Sequence, residues 1–208
     1  MAARTVKRKP ERNVTSSPIQ TSSQFQPTPI NWLNLVWLIL SIAVIIAVIA
    51  WGNLWALNFL HVAAGLLWTG IDLFMGFVIG PILRQTPFST RREVMKRLTP
   101  RTMFILPGLA IITGTTGWYL AAEMGYLAID WPGYGWVLAA LVIVTILTIQ
   151  GIGYLLPTQI RVYLELRKPE PDGAKIARLS RAYFWVIASQ GLMQVLIIVI
   201  MAKFRVGI

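Results

Sequence analysis

Residues 54–84 read LWALNFLHVAAGLLWTGIDLFMGFVIGPILR, and this stretch decides the fold. It is long and apolar enough to cross a bilayer, since about 20 helical residues span the hydrocarbon layer. It contains the only histidine of the chain, His61, and the only acidic residue inside an apolar stretch, Asp72. We therefore expect any site chemistry that this sequence encodes to lie here.

The composition of the 208 residues indicates a bilayer as the surrounding solvent. Hydrophobic residues make up 56% and charged residues 13%, whereas a soluble domain has roughly 25% charged residues. Because there is no cysteine, disulfides, thiolate metal sites and iron–sulfur clusters are excluded. The net charge of +11 lies mostly between apolar stretches, which favours membrane orientation and anionic lipid over nucleic acid as its purpose.

Helical periodicity and length predict an all-α membrane bundle of five transmembrane helices. The polar, basic residues 1–29 are typical of a disordered cytoplasmic tail. We expect a short interfacial helix near residues 90–98, with Pro100 starting the next helix, and Asp172 capping the last one. The predicted spans cover residues 30–52, 54–83, 102–122, 134–156 and 180–202.

Basic residues predict the orientation of the bundle. Residues 1–29, 84–101 and 158–181 carry 5, 6 and 6 of the 19 lysines and arginines, and only Lys203 and Arg205 lie elsewhere. The positive-inside rule then places the N-terminus in the cytoplasm and the C-terminus outside. The expected location is the plasma membrane, that is, a bacterial inner membrane crossed several times.

Five residues of the second span are predicted to share one face. On a helix, His61 and Asp72 differ by about 20° beyond three full turns, and they lie about 16 Å apart along the axis. Gly65, Trp68 and Gly76 fall on the same stripe, and Gly76 with Gly80 forms a small-residue notch for helix packing. Because lipid is a costly neighbour for a carboxylate, this stripe should face other helices.

His61 and Asp72 each have more than one interpretation. His61 is an axial haem ligand or a copper ligand, or it is a histidine that hydrogen-bonds to a neighbouring helix. Asp72 binds a proton or cation on its way through the membrane, or it is a hydrogen-bonded packing group, or it pairs with a basic residue near the cytoplasmic face. The axial distance between them excludes a single shared ion. Haem held by two histidines would need a second histidine, from another chain or a partner subunit.

Other polar residues lie inside the apolar spans. We interpret them first as helix-packing groups. The alternative is a substrate contact for the threonines and the lining of a cofactor or quinone pocket for the glutamines. Gln190 and Gln194 are one turn apart and share a face. The set comprises Thr113, Thr116, Gln150, Gln190 and Gln194.

The second span also resembles a known pattern. The motif His61-x-x-x-Gly65-x-x-Trp68-x-Gly70 is similar to one in the copper-resistance D family and in the membrane domain of bacterial urate hydroxylases. The resemblance implies a helical bundle in which His61 and Trp68 face inward as cofactor-binding candidates, with copper or haem as the cofactor class.

Three functions follow as hypotheses. The first is a non-catalytic membrane subunit or a protein that handles a small molecule or cofactor, with haem or copper at His61. The second is a transport element for copper ions or protons that uses His61 and Asp72. The third is a haem-binding membrane anchor of an oxidoreductase. Because so few polar groups line five helices, we expect a homo-oligomer or a larger membrane complex. The sequence resembles no nucleophile triad, phosphate loop or paired-carboxylate site, which favours a protein that is not an enzyme. The position of the basic residues between apolar spans argues against a nucleic-acid partner.

Overall fold

The computed structural model describes residues 33–207, which form five long helices, one short 3-10 turn and no strand within those bounds. The all-α prediction is confirmed for this part of the chain. The predicted tail, residues 1–29, lies outside the described residues. The helices are α1 (Leu33–Trp51), α2 (Leu54–Gln85), α3 (Phe88–Glu123), α4 (Tyr134–Leu166) and α5 (Gly173–Val206).

The helices α2 to α5 are each long and apolar enough to cross a membrane. In α1, the apolar part with described side chains is shorter, at Leu35–Trp51. Large apolar side chains face outward from the bundle, among them Phe59, Leu67 and Ile149, which are 59–65% exposed. An outer surface of this kind is stable against lipid rather than water. The helices thus suit a multi-pass membrane protein.

Polar caps begin two of the helices. The Asn53 side chain accepts a hydrogen bond from the Ala56 N–H at 3.0 Å, at the start of α2. Gly52, with a φ of 66°, reverses the chain just before it, a conformation that glycine adopts without steric cost. The Asp172 carboxylate accepts from the Lys175 N–H at 2.9 Å, which confirms the predicted cap of α5.

Two helices pass a proline through a π-helical turn. A π-helical turn, Met75–Ile79, precedes Pro81 in α2, and a second one, Gly151–Leu155, precedes Pro157 in α4. Proline has no N–H and its ring crowds the preceding turn. The wider π turn absorbs this local misfit, so both helices continue beyond the ends of the predicted spans. Turns of this kind are frequent at functional sites.

The expectation of a separate interfacial helix before Pro100 is wrong. One helix, α3, runs from Phe88 to Glu123 and contains Pro100 and Pro107 in its interior. Met95, Thr99, Thr102 and Leu106 are all buried, and their spacing of three and four residues keeps one continuous face against the bundle. Because this packing extends across Pro100, the loss of one backbone hydrogen bond does not end the helix.

The helix α5 has the most buried apolar window of the four helices α2 to α5. Its most apolar window is 39% buried, against 22–28% for α2, α3 and α4. Ile176, Tyr183 and Ile187 on α5 form the main core with Met75 of α2 and Leu155 of α4. A second cluster joins α4 to the far part of α5, and a third joins α1, α2 and α3.

A buried carboxylate closes the connection between α4 and α5. Glu165 is 4% exposed, and it accepts hydrogen bonds from Lys168 Nζ at 2.9 Å and Lys175 Nζ at 2.8 Å. The Asp172 N–H points to the same carboxylate at 3.4 Å. We name this end of the bundle, where α2 meets α3 and α4 meets α5, the basic end.

Candidate functional site

The carboxyl group of Asp72 is the most deeply buried acid in the described residues. Asp72 is 1% exposed, and its Oδ2 accepts a hydrogen bond from Gln194 Nε2 on α5 at 2.9 Å. Gln194 is itself 2% exposed. No lysine, arginine or histidine among residues 33–207 forms an ion pair with this carboxyl group. The Trp68 indole on the same helix is a second donor group beside this carboxyl group. Both donors are neutral, so no positive charge stabilises a carboxylate here.

The same pair of residues leaves two acceptor atoms unsatisfied. Asp72 Oδ1 and Gln194 Oε1 are both buried and have no hydrogen-bond partner among the described residues. Buried polar atoms without partners are rare in folded proteins, and each one calls for an explanation. A proton on Asp72 Oδ1 would supply the donor that both atoms lack. The carboxylic acid and the amide could then join through two hydrogen bonds instead of one.

Glycines bring α2 and α5 close together beside this pair. A Cβ atom placed on Gly76 would lie 2.7 Å from the Ala188 Cα, and one on Gly80 would lie 2.9 Å from the Phe184 Cγ. Both distances are below van der Waals contact, which starts near 3.5 Å. The notch predicted from Gly76 and Gly80 therefore faces α5, and any larger side chain would push the two backbones apart.

The other glutamines lie around the junction of α4 and α5. Gln190 is 2% exposed, and its Nε2 donates to the Leu147 carbonyl at 2.9 Å. Thus Gln190 and Gln194, one turn apart, tie α5 to α4 and to α2 respectively. The Oε1 atom of Gln150 is buried and without a partner among the described residues, one residue before the π turn of α4.

His61 faces α3, nearer the other end of the bundle. Its Nδ1 lies 3.0 Å from the Thr113 carbonyl and 3.3 Å from Thr116 Oγ1. A carbonyl only accepts, so Nδ1 carries the hydrogen and donates it, which leaves the lone pair of the neutral ring on Nε2. A Cβ atom on Gly117 would lie 2.7 Å from the ring Cε1. The glycine therefore makes room for the imidazole.

The rest of the predicted stripe also faces protein, but not one common neighbour. Gly65 approaches the Thr113 methyl group, since a Cβ there would lie 3.4 Å from it. Trp68 is partly buried and packs against the apolar cluster of α4 and α5 that includes Leu147 and Ile200. The stripe therefore contacts α3 at His61 and Gly65, and α5 at Asp72 and Gly76.

Sequence reasoning missed a second group of buried polar side chains, near the basic end. Gln159 Nε2 donates to Thr102 Oγ1 at 3.3 Å and to the Tyr183 hydroxyl group. Thr99 Oγ1 and Ser180 Oγ have no partner among the described residues. These five residues line a cavity of about 10 Å³, enough for one water molecule. We name them the hydroxyl cluster.

A signal for the hydroxyl cluster was present in the sequence. Thr99 with Thr102, and Ser180 with Tyr183, are polar pairs at i and i+3, a spacing that places both members on one helix face. They lie at the margins of the predicted spans, where polar residues are ordinary. Only the contact of three different helices shows that these margins are buried.

The described side chains do not form a metal site by themselves. Within residues 33–207, no group of three or more His, Cys, Asp or Glu side chains lies close enough to hold an ion. His61 therefore offers a single nitrogen ligand, Nε2. One histidine is enough for a five-coordinate haem, whereas a copper ion or a haem with two histidine ligands would need further ligands.

Comparisons with protein-family models, with curated proteins and with solved structures find no match to this chain.

Proposed function

We propose that the chain is a proton-handling subunit of a bacterial inner membrane, with Asp72 as the group that binds and releases the proton. The observation that carries this proposal is the pair of unsatisfied acceptors, Asp72 Oδ1 and Gln194 Oε1. One proton pairs both atoms, and its departure leaves both without a donor. Since buried ionisable groups are expensive inside membranes, they are usually retained for function.

The proposed orientation follows from charge. All five helices cross the membrane, with the N-terminus and the basic end in the cytoplasm and the C-terminus outside. Residues 84–101 and 158–181 together hold 12 basic residues and 4 acidic ones. Asp72 then lies between an outer polar group around His61 and an inner one, the hydroxyl cluster.

The heights of these three polar levels match the thickness of a bilayer. His61 lies 11 residues before Asp72 on α2, about 16 Å along the axis. Tyr183 lies 11 residues before Gln194 on α5, which places it about 16 Å from that level in the opposite direction, because α5 runs antiparallel to α2. The total of about 33 Å is close to the hydrocarbon thickness of about 30 Å. Polar groups thus mark both faces and the middle of the membrane.

Steps of this length are too long for a direct hydrogen bond. A proton that crosses them needs water molecules or a movement of the helices. The π turn at Met75–Ile79 starts three residues after Asp72, and such turns give a helix local freedom to change register. A change in this turn would alter the surroundings of Asp72 and therefore the affinity of its carboxyl group for a proton.

The test compares wild-type protein with Asp72→Asn. Asparagine has the shape of the protonated acid and can both donate to Gln194 and accept from it, so the fold should be retained. In proteoliposomes with an imposed membrane potential and an internal pH dye, we expect proton uptake by wild-type protein and background leakage for Asp72→Asn. Asp130→Asn, which changes an exposed carboxyl group in the connection between α3 and α4, is the matched control and should behave as wild type.

Infrared spectroscopy gives a second readout on the same proteins. The carbonyl band of a protonated carboxylic acid should be present in wild type and Asp130→Asn, should shift in deuterated water, and should be missing in Asp72→Asn. Proton uptake by Asp72→Asn at the wild-type rate would refute the proposal. So would a wild-type protein that shows neither uptake nor an acid band.

A second candidate function is a cofactor site at His61. The Nδ1–H donates to the Thr113 carbonyl, and a histidine that ligates a metal usually makes this kind of bond through its other nitrogen. The resemblance of the second span to copper-resistance D and urate hydroxylase membrane domains supports the same proposal, with missing ligands supplied by a homo-oligomer or a larger complex. An absorption band of haem or copper that His61→Ala removes would establish it. Colourless, metal-free protein purified with its partners would exclude it.

A further inference from the structure

A lateral groove opens between α2 and α5 toward the surrounding lipid. Its volume is about 200 Å³. The floor is made of small residues, Gly76 and Ala188, which also pack tightly against each other. The walls are apolar and include Phe77, Pro81 and Trp185.

The local structure of α2 explains why a groove forms here. The π turn Met75–Ile79 and Pro81 lie in this segment, and both disturb the regular stacking of side chains along the helix. Gly76 contributes no side chain that could fill the space. Phe77 is 51% exposed, so it lines the groove without closing it. The result is an apolar groove that runs toward the basic end.

Arg84 provides a positive charge at the end of the groove. The Arg84 guanidinium lies 5.7 Å from the centre of the Trp185 ring, in a cation–π contact. Arg84 is exposed and forms no ion pair with any residue from 33 to 207. Trp185 is 64% exposed, and tryptophan favours the level of the lipid headgroups. The apolar groove therefore ends at a positive charge at the level of the lipid headgroups.

We infer that this groove binds one anionic phospholipid from the leaflet at the basic end. An acyl chain lies along Phe77 and Pro81, and the headgroup phosphate accepts hydrogen bonds from Arg84, whose planar guanidinium suits phosphate. The surrounding charge favours a lipid with a net negative headgroup over a zwitterionic one. Residues 84–101 and 158–181 place 12 basic and 4 acidic residues at this end.

Charge also argues against a second copy of this chain as the occupant. A two-fold symmetric contact through the groove would set Arg84 against its own counterpart, together with the other cations of the basic end. Like charges brought together in this way repel. An anionic lipid would instead neutralise the positive charge of Arg84 and its neighbours at the basic end. This inference does not depend on the proton proposal, because Asp72 does not line the groove.

The test is native mass spectrometry of the full chain, released from micelles that contain equal amounts of phosphatidylglycerol and phosphatidylcholine. For wild type we expect one retained phosphatidylglycerol in excess over phosphatidylcholine. Arg84→Gln should lower this excess about fivefold, the effect of one cation close to an anionic surface. Arg101→Gln is the matched control, because Arg101 is an exposed cation of the same basic segment that does not line the groove.

A second variant tests the apolar part of the groove. Phe77→Ala removes one wall at an exposed position, so the protein should fold, and it should weaken retention of both lipids while leaving the preference for phosphatidylglycerol. Equal retention of the two lipids by wild type would overturn the inference. An equal effect of Arg84→Gln and Arg101→Gln would also overturn it, as would a dimer that excludes lipid from the wild-type protein.

Discussion

Replacing Gly76 by alanine tests the contact that holds α2 against α5. The added Cβ would lie 2.7 Å from the Ala188 Cα and 2.9 Å from its backbone N. Carbon atoms pack at about 3.5–4.0 Å. The shortfall is therefore at least about 0.8 Å (3.5 − 2.7), and because the opposing atoms belong to the backbone, the helices themselves have to separate.

This separation would also affect the buried hydrogen bond one turn away. A rigid shift of about 0.8 Å would lengthen the bond from Gln194 Nε2 to Asp72 Oδ2 from 2.9 Å to about 3.7 Å, beyond hydrogen-bonding range. Overpacking costs about 1–3 kcal/mol, and the lost interhelical hydrogen bond costs about 0.6 kcal/mol more. Better helix propensity returns about 1 kcal/mol when glycine becomes alanine.

The matched control is Gly70→Ala on the same helix. No atom lies within 4 Å of a Cβ placed on Gly70, so this variant gains the propensity term of about 1 kcal/mol without a clash. The difference between the free energies of unfolding of the two variants therefore does not contain the propensity term. We expect Gly76→Ala to be about 1.6–3.6 kcal/mol less stable than Gly70→Ala, from the overpacking and hydrogen-bond terms.

The assay is thermal unfolding of purified protein in detergent, followed by circular dichroism. For a chain of this length, 1 kcal/mol corresponds to about 2–4 °C in Tm, so the two variants should differ by about 3–14 °C. If Gly76→Ala were as stable as Gly70→Ala, the close contact of α2 and α5 described above would be wrong. A Gly70→Ala protein that unfolded early would instead refute the assignment of that position to an open surface.

Two further predictions concern His61 and the orientation of the bundle. Gly117→Ala would set a Cβ atom 2.7 Å from the His61 ring, so the imidazole should turn away from the Thr113 carbonyl. Its Tm should be several degrees below that of Gly114→Ala, which has no atom within 4 Å of the added Cβ, since overpacking costs about 1–3 kcal/mol and both variants gain the same helix propensity. A reporter that is active only outside the cytoplasm should work when fused at the C-terminus and fail when inserted at residues 167–172; the reverse pattern would contradict the proposed topology.

Much of the fold could be predicted from the sequence because apolar length and composition are local properties. A run of about 20 apolar residues has few alternatives to a helix once lipid removes water as a hydrogen-bond partner. The cap at Asp172 was predictable for the same reason, since its hydrogen bond spans three residues. The ends of α2 and α4 were not predictable, because these helices continue past Pro81 and Pro157 through π turns.

The candidate site could likewise be predicted only in part from the sequence. Periodicity predicts that His61 and Asp72 turn toward protein, since a helix has one polar stripe to hide and the cost of exposing a carboxylate to lipid is large. It does not say which neighbour each one meets. The partner of Asp72 is Gln194, 122 positions later in the chain, and no local pattern encodes a pairing at that distance.

The sequence by itself thus determined a set of apolar helices suited to a bilayer, with a carboxyl group hidden inside one of them, because hydropathy and helical period act within a single helix. Tertiary structure alone decided that this carboxyl meets an amide and no cation, that Gly76 lies against α5, and that hydroxyl groups of three helices enclose a cavity. These features depend on which helices are neighbours and how closely their backbones approach. Those choices arise from packing summed over the whole bundle, not from any one segment.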